Sequence, residues 1–425
     1  MNRRLFVVLA VVAAAGAGAC SEALDGGASC PRLCPAQTLT VLDTLINPVL
    51  AFDSTFIGFP EVGAEQELLL STRGDTLETR GIIRFDTITT SITPPSDTAQ
   101  VIQAVDSAYL QIVLDTAHAR IPANIRFELY DVDDTVETDT LSAPVNSKFT
   151  PSRRIGGITV ARAFLPETLN VPVSDSAVLA KINGRGRMRI GVRVDGDGPA
   201  WVRMGSTIGS APAVLLYRGS PDTTVTKISV QPLSNFPVGT LEEGIRTGLT
   251  NYMIVAKNAI PQFTNTMNVG GNPGRRAYLR FNVPSHIIDS STIVRASLIL
   301  TQRPLAYGDL RDTMTIQAQV VLAGPQVTDL RRASNIISAP GLNVNDSLLI
   351  SPRDSGQKIV DMFLLLRSWA SQDGLLYPPP RAIVLRASPE NVLPFEASFF
   401  NSSSPAAVRP MMRISYIPKI TFGVP

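Results

Sequence analysis

From Thr38 onward the chain is a succession of short apolar runs rich in Val, Ile, Leu and Thr, broken by Asp, Asn, Gly and Pro. Glu67-Leu68-Leu69-Leu70-Ser71, Ala108-Tyr109-Leu110-Gln111-Ile112-Val113-Leu114 and Ile125-Arg126-Phe127-Glu128-Leu129-Tyr130 are typical. Their composition and spacing predict many short strands with few helices between them, an all-β sandwich rather than a parallel α/β sheet. One pattern comes twice. Arg80-Gly81-Ile82-Ile83-Arg84-Phe85-Asp86 returns as Arg276-Ala277-Tyr278-Leu279-Arg280-Phe281-Asn282, with both Arg and Phe in register and Asp replaced by Asn. Each copy alternates with period 2, placing Gly81, Ile83 and Phe85 on one face and Arg80, Ile82 and Arg84 on the other.

Further landmarks recur in order. Ser107-Ala108-Tyr109-Leu110-Gln111-Ile112 is matched by Arg295-Ala296-Ser297-Leu298-Ile299-Leu300. Asp175-Ser176 opens a short predicted helix through Ile182, stopped by Asn183-Gly184, and Asp354-Ser355 opens a longer one through Trp369. Each is followed by a strand, Met188 to Val194 or Ala382 to Ala387, and each half closes on a strand with a tyrosine, Tyr217 or Tyr416. Ordered recurrence of this kind indicates duplication. The expected architecture is two tandem jelly-roll-like β-sandwich domains, each with a short helix, over residues 38–218 and 224–425. The turn-rich Arg218-Gly219-Ser220-Pro221-Asp222 would join them.

This order resembles the DNRLRE-type domain, a carbohydrate-binding-module-like β-sandwich of secreted and surface bacterial proteins. The resemblance rests on the Arg-x-x-x-Arg-Phe-Asp/Asn strand, the Ala-x-Leu strand, the closing strand with Pro before a final Tyr, and the Trp369 to Leu375 stretch. It covers most of residues 45–217 and 245–417. It implies a jelly-roll-like sandwich linked to polysaccharide binding, and it supplies no catalytic residue.

The N-terminus changes the picture by giving an address. Arg3 and Arg4 precede an apolar run from Leu5 to Ala15, too short for a bilayer but the length of a secretory segment. Ala17-Gly18-Ala19-Cys20 resembles a bacterial lipobox, so residues 1–19 read as a lipoprotein signal peptide and Cys20 as the lipidated residue. An ordinary signal peptide cut near Ala19 is the alternative. Ser21, where Asp would signal inner-membrane retention, favours an outer-membrane destination, with the body on its periplasmic or surface side. Residues 20–37 are small and polar and read as a tether. Cys30 and Cys34 would form a small disulfide loop in an oxidising compartment; a metal or redox pair would need nearby His or Cys that the sequence lacks.

Of 38 Lys and Arg and 36 Asp and Glu, cleavage after residue 19 removes only Arg3 and Arg4, leaving a formally neutral mature chain. Such a chain has no general basic field for nucleic acid. The expected partners are therefore the bacterial membrane, through the lipid anchor, and a polysaccharide or another envelope protein. His118 and His286 lie near no metal-spaced cluster, and HExxH, GxSxG, P-loop and GxGxxG patterns are absent. No catalytic constellation is predicted, although a carboxylate pair assembled by folding would leave no trace in sequence.

The ligand candidates are the arginines of the repeated strand. Arg80 with Arg84, and Arg276 with Arg280, stand about 13 Å apart at Cα, a spacing suited to successive carboxylates of an acidic glycan. Pairing with acids on neighbouring strands is the competing reading. Trp201, after an Asp-Gly turn, is a candidate sugar-stacking surface, whereas Trp369 sits in an apolar run with Phe363 and Leu366 and is expected in the core. Asp131 and Asp133, near Asp134, Glu137 and Asp139, and the pair Asp195 and Asp197 are weak Ca²⁺ candidates, with solvated turns as the alternative.

Overall fold

The structure, a computed structural model, describes residues 40–419 apart from 58–64, 75, 94–97, 134–142, 185, 210, 221–224, 235–249, 259–261, 273, 306–311, 322–346 and 371–380. Among the described residues strands account for 58 % and helices for 10 %, so the fold is all-β. Alternation drives the strands. Thr168–Val173 buries Leu169, Val171 and Val173 and exposes the residues between them. In Ala104–Arg120 the even positions from Ala108 to Leu114 are buried. Leu68, Leu69 and Leu70 are buried in succession, because both faces of their strand are covered.

Eight antiparallel strands of the first half form a closed ring: Ala104–Arg120, Thr168–Val173, Arg154–Ala161, Asn124–Asp131, Met188–Gly196, Leu77–Phe85, Glu67–Arg73 and Ala200–Gly205. The second half repeats the order. Gly356–Asp361 and Ser291–Arg303 are followed by Glu396–Phe400, Thr266–Gly270, Arg275–Phe281, Ala382–Ser388, Met314–Val320 and Ser347–Ile350. The two copies of the arginine strand, Leu77–Phe85 and Arg275–Phe281, occupy the same place in each.

The opening strands of each half lie elsewhere. Leu50–Ile57 pairs with Arg275–Phe281, and Asn251–Val255 pairs with Leu77–Phe85. Likewise Leu42–Ile46 pairs with the final strand Met411–Pro418, and Thr226–Val230 with the closing strand of the first half, Val214–Ser220. Each half thus lends its first two strands to the other. Sequence boundaries at 38–218 and 224–425 mark where the repeats begin, but Leu42–Ile57 and Thr226–Val255 hydrogen-bond across that division. Leu42–Pro425 accordingly forms one compact unit.

The first of the two expected helices, Asp175–Asn183, begins at Ser174, whose hydroxyl accepts from the Ala177 amide, and it buries Val178 and Ile182. The second departs from expectation. Gly356–Asp361 is a strand, and the helix runs only over Phe363–Ala370, with Asp361 accepting from the Phe363 amide at 2.9 Å. Pairing with Ser291–Arg303 claims the backbone that the apolar run had suggested was helical. Trp369 is fully buried, 5.8 Å from the Phe281 ring. The closing tyrosines are not in equivalent register, because Tyr217 lies opposite Ala108 and Tyr416 opposite Ile293.

Candidate functional site

The arginine-bearing face of Leu77–Phe85 points away from the main core, yet it is covered. Ile82, Tyr130, Val132, Val145, Tyr252 and Ile254 form a second small core on this side, with Phe149 packed against it. Gly191, opposite Ile82, makes room for this lid, since a Cβ there would lie 2.6 Å from the Phe149 ring. Arg80 lies over that ring at 4.6 Å and donates to Glu78 at 2.6 Å. Glu78 is fully buried and also meets Arg193 at 2.8 Å and Lys257 at 3.4 Å. Burial alone would raise its carboxyl, but these cations outweigh it and hold the group below the ordinary range. Arg84, 1 % exposed, donates to Asp86 at 2.8 Å, and Asp86 also takes Arg189 at 3.2 Å.

The second copy follows the same logic with different groups. Arg276 is buried and makes two 2.7 Å hydrogen bonds to Glu390. Arg280 lies over Phe52, a residue of the exchanged strand, at 5.8 Å. The Asp-to-Asn change at Asn282 now has a counterpart. Arg84 faces Arg189 across the sheet, whereas Arg280 faces Ala382, so the second site has one cation fewer to neutralise. The arginine faces are therefore built inward, and their partners are the protein's own acids and rings.

Trp201 is 8 % exposed and packs edge-on against Phe395 at 6.4 Å, joining the two halves in the core instead of offering a sugar platform. Asp131 and Asp133 already hold cations. Lys181 approaches them at 3.0 and 3.2 Å, and Arg187 lies 3.0 Å from Asp133. Calcium would have to displace both side chains. Asp195 pairs with Arg126 at 2.5 Å, and Asp197 accepts from Asn124 at 2.8 Å. Among the described residues no group of three or more His, Cys, Asp and Glu is placed to hold a metal. Cys20, Cys30, Cys34, Asp134, Glu137 and Asp139 lie outside the described residues. Among the described residues no helix is long and apolar enough to cross a membrane.

Sequence reasoning missed two features. The first is Glu396, 2 % exposed, with Arg275 at 3.0 Å and Asn268 donating at 3.0 Å. Burial pushes its carboxyl up to about 7 despite these partners. Nothing in Phe395-Glu396-Ala397 signals a buried acid.

The second is an exposed sheet face on Thr168–Val173, Ala104–Arg120, Val214–Ser220 and Thr226–Val230. Cross-strand register places Pro172, Tyr109, Leu216 and Ser229 in one row, and Asn170, Gln111 and Val214 in the next. Tyr109 is 40 % exposed, and Gln111 donates to Asn170 at 3.1 Å, leaving the remaining amide groups of both side chains for other partners. The signal that could have found it is the period-2 pattern of Ala108 to Leu114, which sets Tyr109 and Gln111 opposite Ala108, Leu110 and Ile112. The aligned positions in the second half are Ser297 and Ile299, so the aromatic is not repeated.

The fold defines an all-β protein of sandwich or barrel type. No family model matches the chain, and no curated protein matches it. Among solved structures, the infectious bursal disease virus VP2 subviral particle is similar at 11 % identity. It covers 91 % of this chain and 79 % of that one, with a TM-score of 0.14. The infectious bursal disease virus Gt strain follows at 13 % identity, 92 % and 78 % coverage, and a TM-score of 0.10. Likenesses of that size carry no argument.

Proposed function

We propose that the protein is an exported, lipid-anchored outer-membrane lipoprotein whose β body binds polysaccharide without chemistry. Cys20 is the lipid attachment point of this reading. The observation that carries the binding is the Tyr109 face: an exposed aromatic on the outer side of the sheet, beside a pre-ordered Gln111–Asn170 amide pair. Sugar rings stack on aromatic faces, and amide side chains supply both donors and acceptors to hydroxyls. The arginines of the repeated strand support the body in this reading, because their charges are spent internally. Binding would thus depend on Tyr109 and not on Arg84 or Arg280.

A glycan array probed with the chain from Ser21 onward tests this. Binding that is lost in Tyr109→Ala, with an unchanged melting temperature, is the expected result. Silence across neutral and acidic glycans transfers the role to the other expected partner, an envelope protein.

A further inference from the structure

The third row of the exposed face carries charge. Arg218 lies opposite Ser107 on one side and directly opposite Lys227 on the other, and both cations are exposed. Directly opposed residues bring Cβ atoms to about 4.5–5.5 Å, and like charges in that position destabilise a strand pair. Neither Arg218 nor Lys227 makes an ion pair among the described residues, nor does Asp106, the extra residue of the adjacent bulge. Elsewhere the protein neutralises its strand-borne arginines, as Glu78, Asp86 and Glu390 show. The opposed cations also adjoin the Tyr109 row, since Arg218 follows Leu216 by two residues on the same strand face.

We infer that Arg218 and Lys227 form an anion subsite of the Tyr109 face, so that the ligand is an acidic polysaccharide. One carboxylate or sulfate bridges the two cations, Arg218 by its planar fork and Lys227 as a point charge, while an adjacent ring rests on Tyr109. The inference rests on the polysaccharide-binding reading and specifies its substrate class.

Affinity electrophoresis tests it with the chain from Ser21 onward, which keeps the whole Leu42–Pro425 unit. Separate gels contain polygalacturonate, dextran sulfate or neutral dextran; the first two separate carboxylate from sulfate recognition. The wild type is expected to be retarded more in an anionic gel than in dextran. The double variant Arg218→Gln with Lys227→Gln should weaken that retardation by about tenfold, the scale of a charge-assisted contact, with a melting temperature that does not fall, since the like-charge opposition is removed. Salt at 1 M, where the Debye length is about 3 Å, should have the same effect. Equal retardation in all three gels that Tyr109→Ala abolishes would overturn the anion subsite and leave polysaccharide binding standing. No retardation in any gel overturns both. Retardation of the double variant equal to wild type, or capture by phosphatidylglycerol vesicles in place of the anionic glycans, likewise overturns the inference.

Discussion

Tyr252→Ala probes the strand exchange at its most informative point. Tyr252 belongs by sequence to the second half, is 2 % exposed, and packs in the small core that covers the first arginine strand. Truncating a large buried aromatic costs about 3–5 kcal/mol through lost burial and the cavity left behind. What that does to melting depends on how many residues unfold together. With an unfolding entropy of about 2.1 cal/mol/K per residue, a single unit of about 380 residues carries about 0.8 kcal/mol/K, so the melting temperature falls by about 4–6 °C. Were the first half to unfold alone, roughly half the entropy would be involved and its transition would fall by about 8–12 °C, leaving a second one in place. Differential scanning calorimetry separates the cases. One transition displaced by the smaller amount is expected, because each half is completed by strands of the other. Two resolved transitions, only one of them displaced, would refute the coupling.

Two further outcomes follow from the same geometry. Gly191→Ala places a methyl 2.6 Å from the Phe149 ring and 2.7 Å from Val132, so urea denaturation should show a loss of about 1–3 kcal/mol, whereas Gly198→Ala, with only Pro122 at 3.6 Å, should be nearly neutral. Glu396 has its folded value raised above its unfolded one, so its neutral form is favoured on folding, and it lowers stability as pH rises from about 4.5 towards about 7. Glu78 and Asp86, held low, act in the opposite sense and lose their contribution as pH falls through their folded values. Glu396→Gln should therefore raise the melting temperature more at pH 8 than at pH 5; an equal change at both would contradict the assignment.

Particular residues show how far the chain could be read directly. The alternation around Arg80 to Phe85 places Ile83 and Phe85 in the core, and both are fully buried. Gly184 ends the helix Asp175–Asn183 where the Asn183-Gly184 stop puts it, and the N-cap is Ser174, one residue before the expected Asp175-Ser176 opening. The second helix was misplaced because Gly356–Asp361 has a strand partner that local composition does not name. Exposure was legible for Tyr109, whose period-2 position opposes the core, but not for Trp201, whose turn context suggested solvent and whose neighbour Phe395 lies far along the chain.

Residue type and local period were enough for the all-β class, the repeated order of strands, and the inner face of strands such as Arg80 to Phe85, because these depend on local pattern alone. Which half each opening strand completes emerged from the tertiary structure. It alone showed that Arg84 and Arg276 face the protein's own acids, that Asp131 and Asp133 already hold cations, and that Arg218 and Lys227 stand opposed on an open face. A strand's pattern specifies which side is buried, whereas its hydrogen-bond partner and the charges beside it are set by residues tens to hundreds of positions away.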